Sequence, residues 1–142
     1  MKYIMTDNPK EQEIDEILNN LRAYNLSHIE LKVVKPLAIF VNEENDNIIG
    51  GISAETHGNW LEISYLWVDE RLRGQKVGSK LVKDVEVEAI KRGCTSSFLN
   101  TFSFQAKDFY LKLGYKEVLT LEEYPLTGKR HYFIKQLTDS VG

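Results

Sequence analysis

The central part of the chain alternates between two spacings of apolar residues, one typical of β-strands and one typical of α-helices. Short runs rich in β-branched and aromatic residues predict strands at 36–41, 48–54, 60–68, 96–101, 115–121 and 131–137. Apolar residues three and four apart predict helices at 77–92 and 105–113. A strand, a helix and a strand with short connections predict a right-handed parallel crossover. We therefore expect an α+β fold with a mixed, largely antiparallel central sheet of about six or seven strands, flanked by helices.

The N-terminal region is predicted to form a short strand at Tyr3–Thr6 and then one helix. Asn8 suits the N-cap and Pro9 the first helical position, so the helix is expected to begin there. Apolar residues then recur on one face until the pattern ends near Tyr24 or Asn25. These apolar residues are Ile14, Ile17, Leu18 and Leu21.

Side-chain directions follow from the same patterns. Simple alternation along 60–68 sends one set of side chains to one face, namely Leu61, Ile63, Tyr65 and Trp67. The opposite face receives Glu62, Ser64, Leu66 and Val68. On the helix at 77–92, the charged residues are expected to face solvent, including Lys80, Lys83, Asp84, Glu86 and Glu88.

A basic, glycine-containing loop separates the strand at 60–68 from the helix at 77–92. The first N–H groups of a helix have no partner within the helix and carry the positive end of its dipole. Gly74 and Gly78 have no side chain to keep a phosphate away, and Arg73 and Lys76 can donate charge-assisted hydrogen bonds. The stretch therefore suits an anion such as a phosphate. The alternative is a surface turn with solvated charges, because short glycine motifs are not specific by themselves.

The stretch from Arg73 to Gly78 resembles the acyl-CoA pyrophosphate loop of the GNAT superfamily of N-acetyltransferases, which has the form Gln/Arg-x-x-Gly-x-Gly/Ala. The Val-Asp-Glu at 68–70 resembles the strand end and acidic turn that precede that loop. Arg73 and Gly78 match the pattern, whereas Lys76 replaces the first glycine. Lys76 is therefore expected either to present its backbone N–H with an ordinary helical φ or to replace that contact with its ammonium group.

A second segment, 103–115, resembles the family pattern Asn-x-x-Ala-x-x-x-Tyr-x-x-x-Gly-Phe/Tyr. Ser103 stands at the Asn position, and Ala106, Tyr110 and Gly114 match the pattern. The two segments follow each other in the family's order, and with the predicted elements they cover the chain from about 48 to 137. The chain is thus identified as a member of the GNAT superfamily.

The resemblance implies that the strand before the loop and the strand after its helix splay apart, and that the co-substrate acetyl-CoA lies between them. Backbone groups of the first strand are implied to bind the pantetheine, and the loop to bind the phosphates. The implied acetyl-CoA contacts are Leu66, Trp67, Val68, Arg73, Gly74, Gln75, Lys76, Val77, Gly78, Ser79, Ser103, Ala106 and Tyr110.

Members of the family commonly transfer the acetyl group by direct attack of an amine in a ternary complex. The resemblance implies Tyr110 as the general acid for the leaving thiolate; the alternative is a packing residue whose hydroxyl binds CoA or water. A backbone N–H of Val68 or Leu66 is implied to meet the carbonyl oxygen. Glu62 is the candidate general base, and a solvent-facing strand residue is the alternative.

The acceptor is expected to be a primary amine of a small molecule or a protein. Ser64 and Tyr65 are candidate substrate contacts, and four aromatic residues are candidates for an apolar acceptor pocket or for plain core: Trp60, Phe102, Phe104 and Tyr124. Next to the first helix, His28 and Glu30 either touch substrate or lie in a solvated loop. Two other functions stay open: a non-catalytic acyl-CoA-binding sensor or interaction domain, and a transferase for another acyl-CoA.

Length and composition limit the number of domains, the partners and the location that we expect. At 142 residues, with 42% apolar and 27% charged residues, the chain is expected to form one domain over 1–142. The net charge of −3 argues against a nucleic-acid partner. No apolar run reaches the length of a membrane span and no signal-peptide pattern is present, so we expect a cytoplasmic protein without a membrane partner. Cys94 is the single cysteine and the histidines lack metal-ligand spacing, so no metal is expected. A homodimer is compatible with these features.

Overall fold

The structure, a computed structural model, describes residues 1–28, 33–102 and 107–138. The chain divides into two units, Met1–Lys32 and Val33–Gly142. The first contains helix α1, Glu11–Leu26. The second contains all the described strands and two helices, in the order β1 Lys35–Asn42, β2 Ile48–His57, β3 Trp60–Val68, a 3-10 turn Glu70–Leu72, α2 Val77–Lys91, β4 Ser96–Phe102, α3 Lys107–Lys112, β5 Lys116–Leu121 and β6 Arg130–Gln136. The first unit has one helix and is too short for a hydrophobic core of its own. The expectation of one domain over 1–142 stays a prediction.

The second unit is built on one six-stranded sheet with the order β1-β2-β3-β4-β6-β5. β3 and β4 are parallel, and every other neighbouring pair is antiparallel. Helix α2 connects the parallel pair, as the strand–helix–strand pattern predicted. The predicted α+β fold with a mixed, largely antiparallel sheet is therefore confirmed.

The core of the second unit lies where α2 and α3 pack on the sheet. Leu61, Leu99 and Phe133 from β3, β4 and β6 are at most 2% exposed. The facing residues of α2 are Leu81, Val82, Val85 and Ala89. Burial of each large apolar side chain contributes roughly 1.5–3 kcal/mol, so this layer fixes α2, and with it the loop at its start, against the sheet.

A β-bulge at Ser64 changes the direction of the side chains along β3. Tyr65 pairs with Ser53 and Ile63 with Ala54, which leaves Ser64 without a partner on β2. Leu61 and Ile63 are buried before the bulge, whereas Tyr65 and Trp67 after it are exposed. The predicted simple alternation is therefore wrong beyond Ser64, because an extra residue in one strand moves every later side chain to the other face. Leu66 and Val68 consequently turn toward the α2 side, against the core cluster.

The prediction that Glu86 faces solvent is also wrong. Its side chain is buried and accepts hydrogen bonds from Lys135 Nζ at 2.9 and 3.1 Å and from the Tyr115 hydroxyl at 2.9 Å. Ser97 Oγ lies 2.8 Å from the same hydroxyl. Burial and the Glu86 charge raise the pKa of Tyr115. A carboxylate can be buried here because a cation and a hydroxyl satisfy its oxygens.

The N-terminal predictions need two corrections. Tyr3–Thr6 does not form a strand in the structure, and α1 begins at Glu11 rather than next to Asn8. Lys10 is the N-cap, and its backbone N–H donates to Glu13 Oε1 at 3.0 Å, a bond that anchors the first turn at this position. The Asn8 N–H instead donates to Thr6 Oγ1 at 3.0 Å. No residue of α1 is buried.

The predicted boundaries elsewhere agree with the structure within a few residues. The return strand of the first hairpin, predicted to end at 54, continues to His57. Gly93 and Gly114 follow the ends of α2 and α3 with φ near 94°, a left-handed conformation that glycine adopts without strain. Among the helices that the structure describes, none is long and apolar enough to cross a membrane.

Candidate active site

A gap opens between the two parallel strands at the centre of the sheet. β3 and β4 pair only from Trp60 to Glu62 with Ser96 to Phe98, and beyond this point the ladder stops. A cavity of about 310 Å³ follows, lined by Ile63, Ser64, Tyr65, Leu66, Trp67, Leu99, Asn100, Thr101 and Tyr110. We call it the central cavity. The splayed strands that the resemblance implied are therefore present.

The edge of β3 that faces this gap offers unpaired backbone groups. In an antiparallel pair, alternate residues exchange both backbone hydrogen bonds with the partner strand. Asp69 N–H donates to Ile49 O at 2.8 Å, so Asp69 is one of the residues that bond to β2. Trp67, two residues earlier and opposite Gly51, therefore also directs its N–H and C=O to β2. Leu66 and Val68 therefore direct N–H and C=O toward the gap, where no described strand pairs with them.

The loop between β3 and α2 has two residues in the left-handed region. Gly74 has φ 81°, and Lys76, the N-cap of α2, has φ 59° and ψ 27°. The expectation that Lys76 keeps an ordinary helical φ is wrong. The chain must make the same turn here that a glycine would make, and Lys76 adopts the conformation that costs a residue with a side chain about 1–2 kcal/mol.

The charged residues of the loop divide into structural and available ones. Arg71 binds Glu43 at 2.8 Å and Asp69 at 3.1 Å, and Asp69 also accepts the Arg71 backbone N–H at 2.9 Å, so this arginine fixes the turn. Arg73 and Lys76 are exposed and form no ion pair with any residue in the described ranges. Two cations therefore stay available beside the helix start.

A second cavity, of about 600 Å³, opens at the N-terminus of α2; we call it the loop cavity. The first helical bond, from Lys80 N–H to Lys76 O at 3.1 Å, leaves the N–H groups of the first turn without a helical acceptor. The lining residues are Leu66, Val68, Leu72, Arg73, Gly74, Lys76, Val77, Gly78, Ser79 and Phe109. None of them is acidic, so the cavity suits an anion. Gln75, a predicted contact, does not line it.

Gly78 has a packing role in addition to the predicted one. A Cβ at this position would lie 3.3 Å from Cζ of Phe109, so the absence of a side chain lets α3 approach the start of α2. Sequence reasoning missed Phe109 as a site residue. The available signal was its position directly before Tyr110 in the second motif, on a helix that also had to meet the loop.

Tyr110 connects α3 to the central cavity. Its ring is 7% exposed and packs against Phe109, Tyr115 and Phe133, with centroid distances of 5.0, 5.9 and 6.1 Å. Its hydroxyl forms no hydrogen bond with any residue that the structure describes, and no buried side-chain oxygen of the described residues lacks a partner, so the hydroxyl is open to the cavity. Burial raises the pKa of Tyr110 to about 12, which keeps the phenol protonated.

A family model covers the residues that build both cavities. The model described as the acetyltransferase (GNAT) family matches residues 5–115. The chain belongs to the GNAT family.

Individual relatives of this GNAT protein agree with the assignment. Blasticidin-S acetyltransferase of Streptomyces morookaense is 31% identical over 91% of this chain and 97% of its own length. An acetyltransferase of Agrobacterium fabrum is 29% identical over 85% of this chain and 88% of its own. The crystal structure of an acetyltransferase from Bacillus cereus is 32% identical and has a TM-score of 0.82, over 94% of this chain and 97% of that one. The protein is therefore an acetyl-CoA-dependent N-acetyltransferase.

The structure does not place Glu62, the candidate base of this GNAT enzyme, among the lining residues of either cavity. Its partially buried carboxylate lies on β3 opposite Glu55 of β2. Desolvation, and secondly the charge of Glu55, raise the pKa of Glu62 above 4.5. A role as base therefore requires a water or a movement of the acceptor toward it, and stays a prediction.

An ion-pair network fixes α3 next to the site. Glu117 on β5 binds Lys107 of α3 at 3.2 Å and Nδ1 of the buried His131 at 2.7 Å, and it accepts a short hydrogen bond from Thr120. These bonds, the one from Thr120 first, lower the pKa of Glu117 to about 2. The network connects the helix of Tyr110 to two strands.

The remaining candidate residues are two acetyl-CoA contacts, one aromatic residue, the cysteine and any metal ligands. Ser103 and Ala106 lie outside the described residues, as does Phe104. Cys94 is buried two residues before β4 and lines neither cavity, and burial raises the pKa of its thiol. Among the residues that the structure describes, no group of three His, Cys, Asp or Glu side chains could hold a metal ion.

Proposed function

We propose that this GNAT protein transfers an acetyl group from acetyl-CoA to a primary amine by direct attack within a ternary complex. One observation carries the proposal: Leu66 lines both the loop cavity and the central cavity, and its backbone groups face the gap between them. An elongated molecule can therefore bind at the start of α2 and reach Tyr110.

The loop cavity fits the phosphates of acetyl-CoA. The N–H groups of Val77, Gly78 and Ser79 have no helical acceptor, and the positive end of the α2 dipole lies behind them. Arg73 and Lys76 supply two cations that pair with no carboxylate of the described residues. This combination of backbone donors and basic side chains is a recurrent way to bind a pyrophosphate.

The free edge of β3 fits the pantetheine. A chain with amide groups can add to an exposed strand edge through alternating N–H and C=O bonds, as peptides do. Val68 offers its N–H and C=O, and Leu66 offers its C=O two residues away on the same edge, which leaves the Leu66 N–H for the thioester carbonyl. The backbone of Trp67 faces β2, so any contact from this residue comes from its side chain in the central cavity.

The groups around the central cavity fit acetyl transfer. Acetyl-CoA supplies an acetyl group activated as a thioester. The amine nitrogen bonds to the carbonyl carbon while the C–S bond breaks, the nitrogen loses a proton and the sulfur gains one. The Leu66 N–H stabilises the negative charge on the carbonyl oxygen, the Tyr110 hydroxyl donates the proton to sulfur, and Glu62 accepts the amine proton through water.

A direct attack is favoured over a covalent enzyme intermediate. A thiol nucleophile has to reach the thioester, and Cys94, the single cysteine of the chain, lines neither described cavity. Its raised pKa also lowers its reactivity, because the thiolate is the reactive form. An unprotonated amine needs no such intermediate.

The acceptor is proposed to be an amine of a small molecule or a protein. The name of the Streptomyces relative gives blasticidin S as the compound associated with its activity, which supports a small molecule. A net charge of −3 supports neither nucleic acid nor an acidic membrane surface as partner. A cytoplasmic location and a homodimer stay expectations.

The test is amine-dependent release of free thiol from acetyl-CoA by the purified protein. We expect turnover with at least one amine of a varied panel, and initial-rate lines that intersect as both substrates are varied, as sequential binding requires. Parallel lines would contradict the ternary complex. Acetyl-CoA binding without turnover on the whole panel would favour the sensor, and faster turnover with succinyl- or propionyl-CoA would favour a different acyl donor.

A further inference from the structure

Arg130, the first residue of β6, lies among three aromatic rings and binds Asn100, a lining residue of the central cavity. Its guanidinium carbon is 5.3 Å from the ring centre of Tyr124, 5.5 Å from that of Tyr132 and 5.8 Å from that of Phe102. The rings of Phe102 and Tyr124 are themselves stacked at 5.7 Å. Cation–π contacts of this kind fix the plane of a guanidinium and reduce its access to water.

Two hydrogen bonds orient the guanidinium further. Arg130 Nε donates to Asn100 Oδ1 at 2.8 Å, and Nη1 donates to the Tyr124 hydroxyl at 3.0 Å. A guanidinium has five N–H donors, so these two bonds leave one donor on Nη1 and two on Nη2, and one from each nitrogen can form the outer edge. That edge has the two parallel donors with which arginine binds a carboxylate or phosphonate.

Arg130 has no carboxylate partner among the residues that the structure describes. It is only partly exposed, whereas its neighbour Lys129 pairs with Glu122 at 3.6 Å. The cation–π contacts and the two hydrogen bonds replace part of the lost hydration, but no carboxylate of the described residues balances the charge. The arrangement is what a site for an anionic ligand would require, since the ligand then supplies the missing charge.

The position connects this group to the reaction. Arg130 is the partner of Phe102 at the end of β4, and Asn100, which holds its Nε, lines the central cavity together with Tyr110. A small acceptor lying in this cavity can therefore place one end near Tyr110 and the other near Arg130. The aromatic faces around Arg130 are occupied by the guanidinium, so they are not available as a cage for a cationic group.

We propose that the acceptor is a primary amine that also carries an acidic group, a carboxylate or a phosphonate, and that Arg130 binds this group. The inference deepens the proposed function and rests on it. The amine would lie toward the thioester, and the acid group would bind the outer edge of the guanidinium. The structural alternative is that Arg130 only supports Tyr124 in the loop between β5 and β6.

The test compares binding of matched probes to the complex of the protein with CoA, by the shift of thermal unfolding and by titration. The probes are β-alanine, β-alaninamide and 2-aminoethylphosphonate, together with larger amino acids and their amides. We expect the acid member of at least one pair to bind about tenfold or more tightly than its amide, in line with a charge-assisted pair. The phosphonate distinguishes which acid group is preferred.

Arg130→Gln should abolish the preference for the acid, and Arg130→Lys should restore part of it, because lysine keeps the charge but lacks the fork. Lys129→Gln removes the same charge one residue away and should leave the preference unchanged. Equal binding of acid and amide, or a preference that survives in Arg130→Gln, would overturn the inference. If the acid probes bind selectively through Arg130 but none of them is acetylated, the anion site at Arg130 stands and the proposed transferase activity is refuted.

Discussion

At the scale of single residues, the site contains two arrangements that lower the stability of the folded protein. Lys76 takes a left-handed φ so that the chain can turn into α2. Tyr110 is buried without a hydrogen-bond partner in the described ranges. Neither arrangement improves stability, so each is more easily explained by the proposed binding of acetyl-CoA.

Lys76→Gly should stabilise the protein by about 0.5–1 kcal/mol, because relief of the left-handed strain exceeds the extra chain entropy of glycine. Lys76→Ala keeps the strain and should not stabilise the protein. Both variants remove the ammonium and should weaken acetyl-CoA binding, more at low salt than at high salt. Denaturant unfolding and calorimetric titration measure the two effects. Unchanged affinity at low salt in both variants would limit the role of Lys76 to its backbone.

Tyr110→Phe removes only the hydroxyl and should lower kcat by roughly a hundredfold or more, with little change in acetyl-CoA affinity. Since burial raises the pKa of Tyr110 to about 12, its own ionisation should not limit the rate at neutral or mildly alkaline pH. Steady-state turnover beside direct binding measures the effect. Near-normal kcat would remove Tyr110 from the mechanism, whereas a loss of affinity would make it a binding residue.

At the scale of elements, the short helix α3 is fixed by its neighbours rather than by its own length. An isolated helix of six residues is not stable in water. Phe109 packs on Gly78 of α2, and the Lys107–Glu117–His131 network ties α3 to β5 and β6. Position 110 was predictable from the sequence motif. The network was not, because its members come from three separate elements.

Acid should weaken this network in a defined pH range. The pKa of Glu117 is lowered from 4.5 to about 2 in the folded protein, so its contribution to stability is complete above pH 4.5 and is lost as the pH falls toward 2. Thermal unfolding followed across this range should show a decline that Glu117→Gln reduces. If the variant and the wild type lost stability in parallel, Glu117 would not be responsible for the decline.

At the scale of the whole molecule, patterns along the chain predicted the six strands of the sheet, α2 and the parallel crossover, because local periodicity and burial agree there. Two features depended on partners distant in sequence and were missed. The bulge at Ser64 arises from pairing with β2. Glu86 can be buried because it pairs with Lys135, which is 49 residues further along the chain. Arg130 was missed for the same reason, since its aromatic neighbours on other elements become close only in the fold.

The Glu86–Lys135 pair should contribute to the stability of the whole sheet, because it connects α2 to β6. Lys135→Met should destabilise the protein by about 3 kcal/mol, at the low end for a broken buried pair, since the Lys135 side chain is 23% exposed. The double variant Glu86→Gln/Lys135→Met should recover part of the loss. Denaturant unfolding gives the values, and a cost below about 1 kcal/mol for Lys135→Met would show that the pair is unimportant.

The central claim is that the start of α2 and the facing edge of β3 bind acetyl-CoA. Calorimetric titration of acetyl-CoA into the wild type and into Gly78→Glu tests it most directly, with Lys83→Glu, an exposed position further along α2, as the charge control. We expect binding to the wild type and to Lys83→Glu, and loss of binding in Gly78→Glu, because the new side chain places an anion in the phosphate site and its Cβ presses on Phe109, which lines the same cavity. Circular dichroism establishes that the variants are folded. Wild-type affinity in a folded Gly78→Glu protein would contradict the claim.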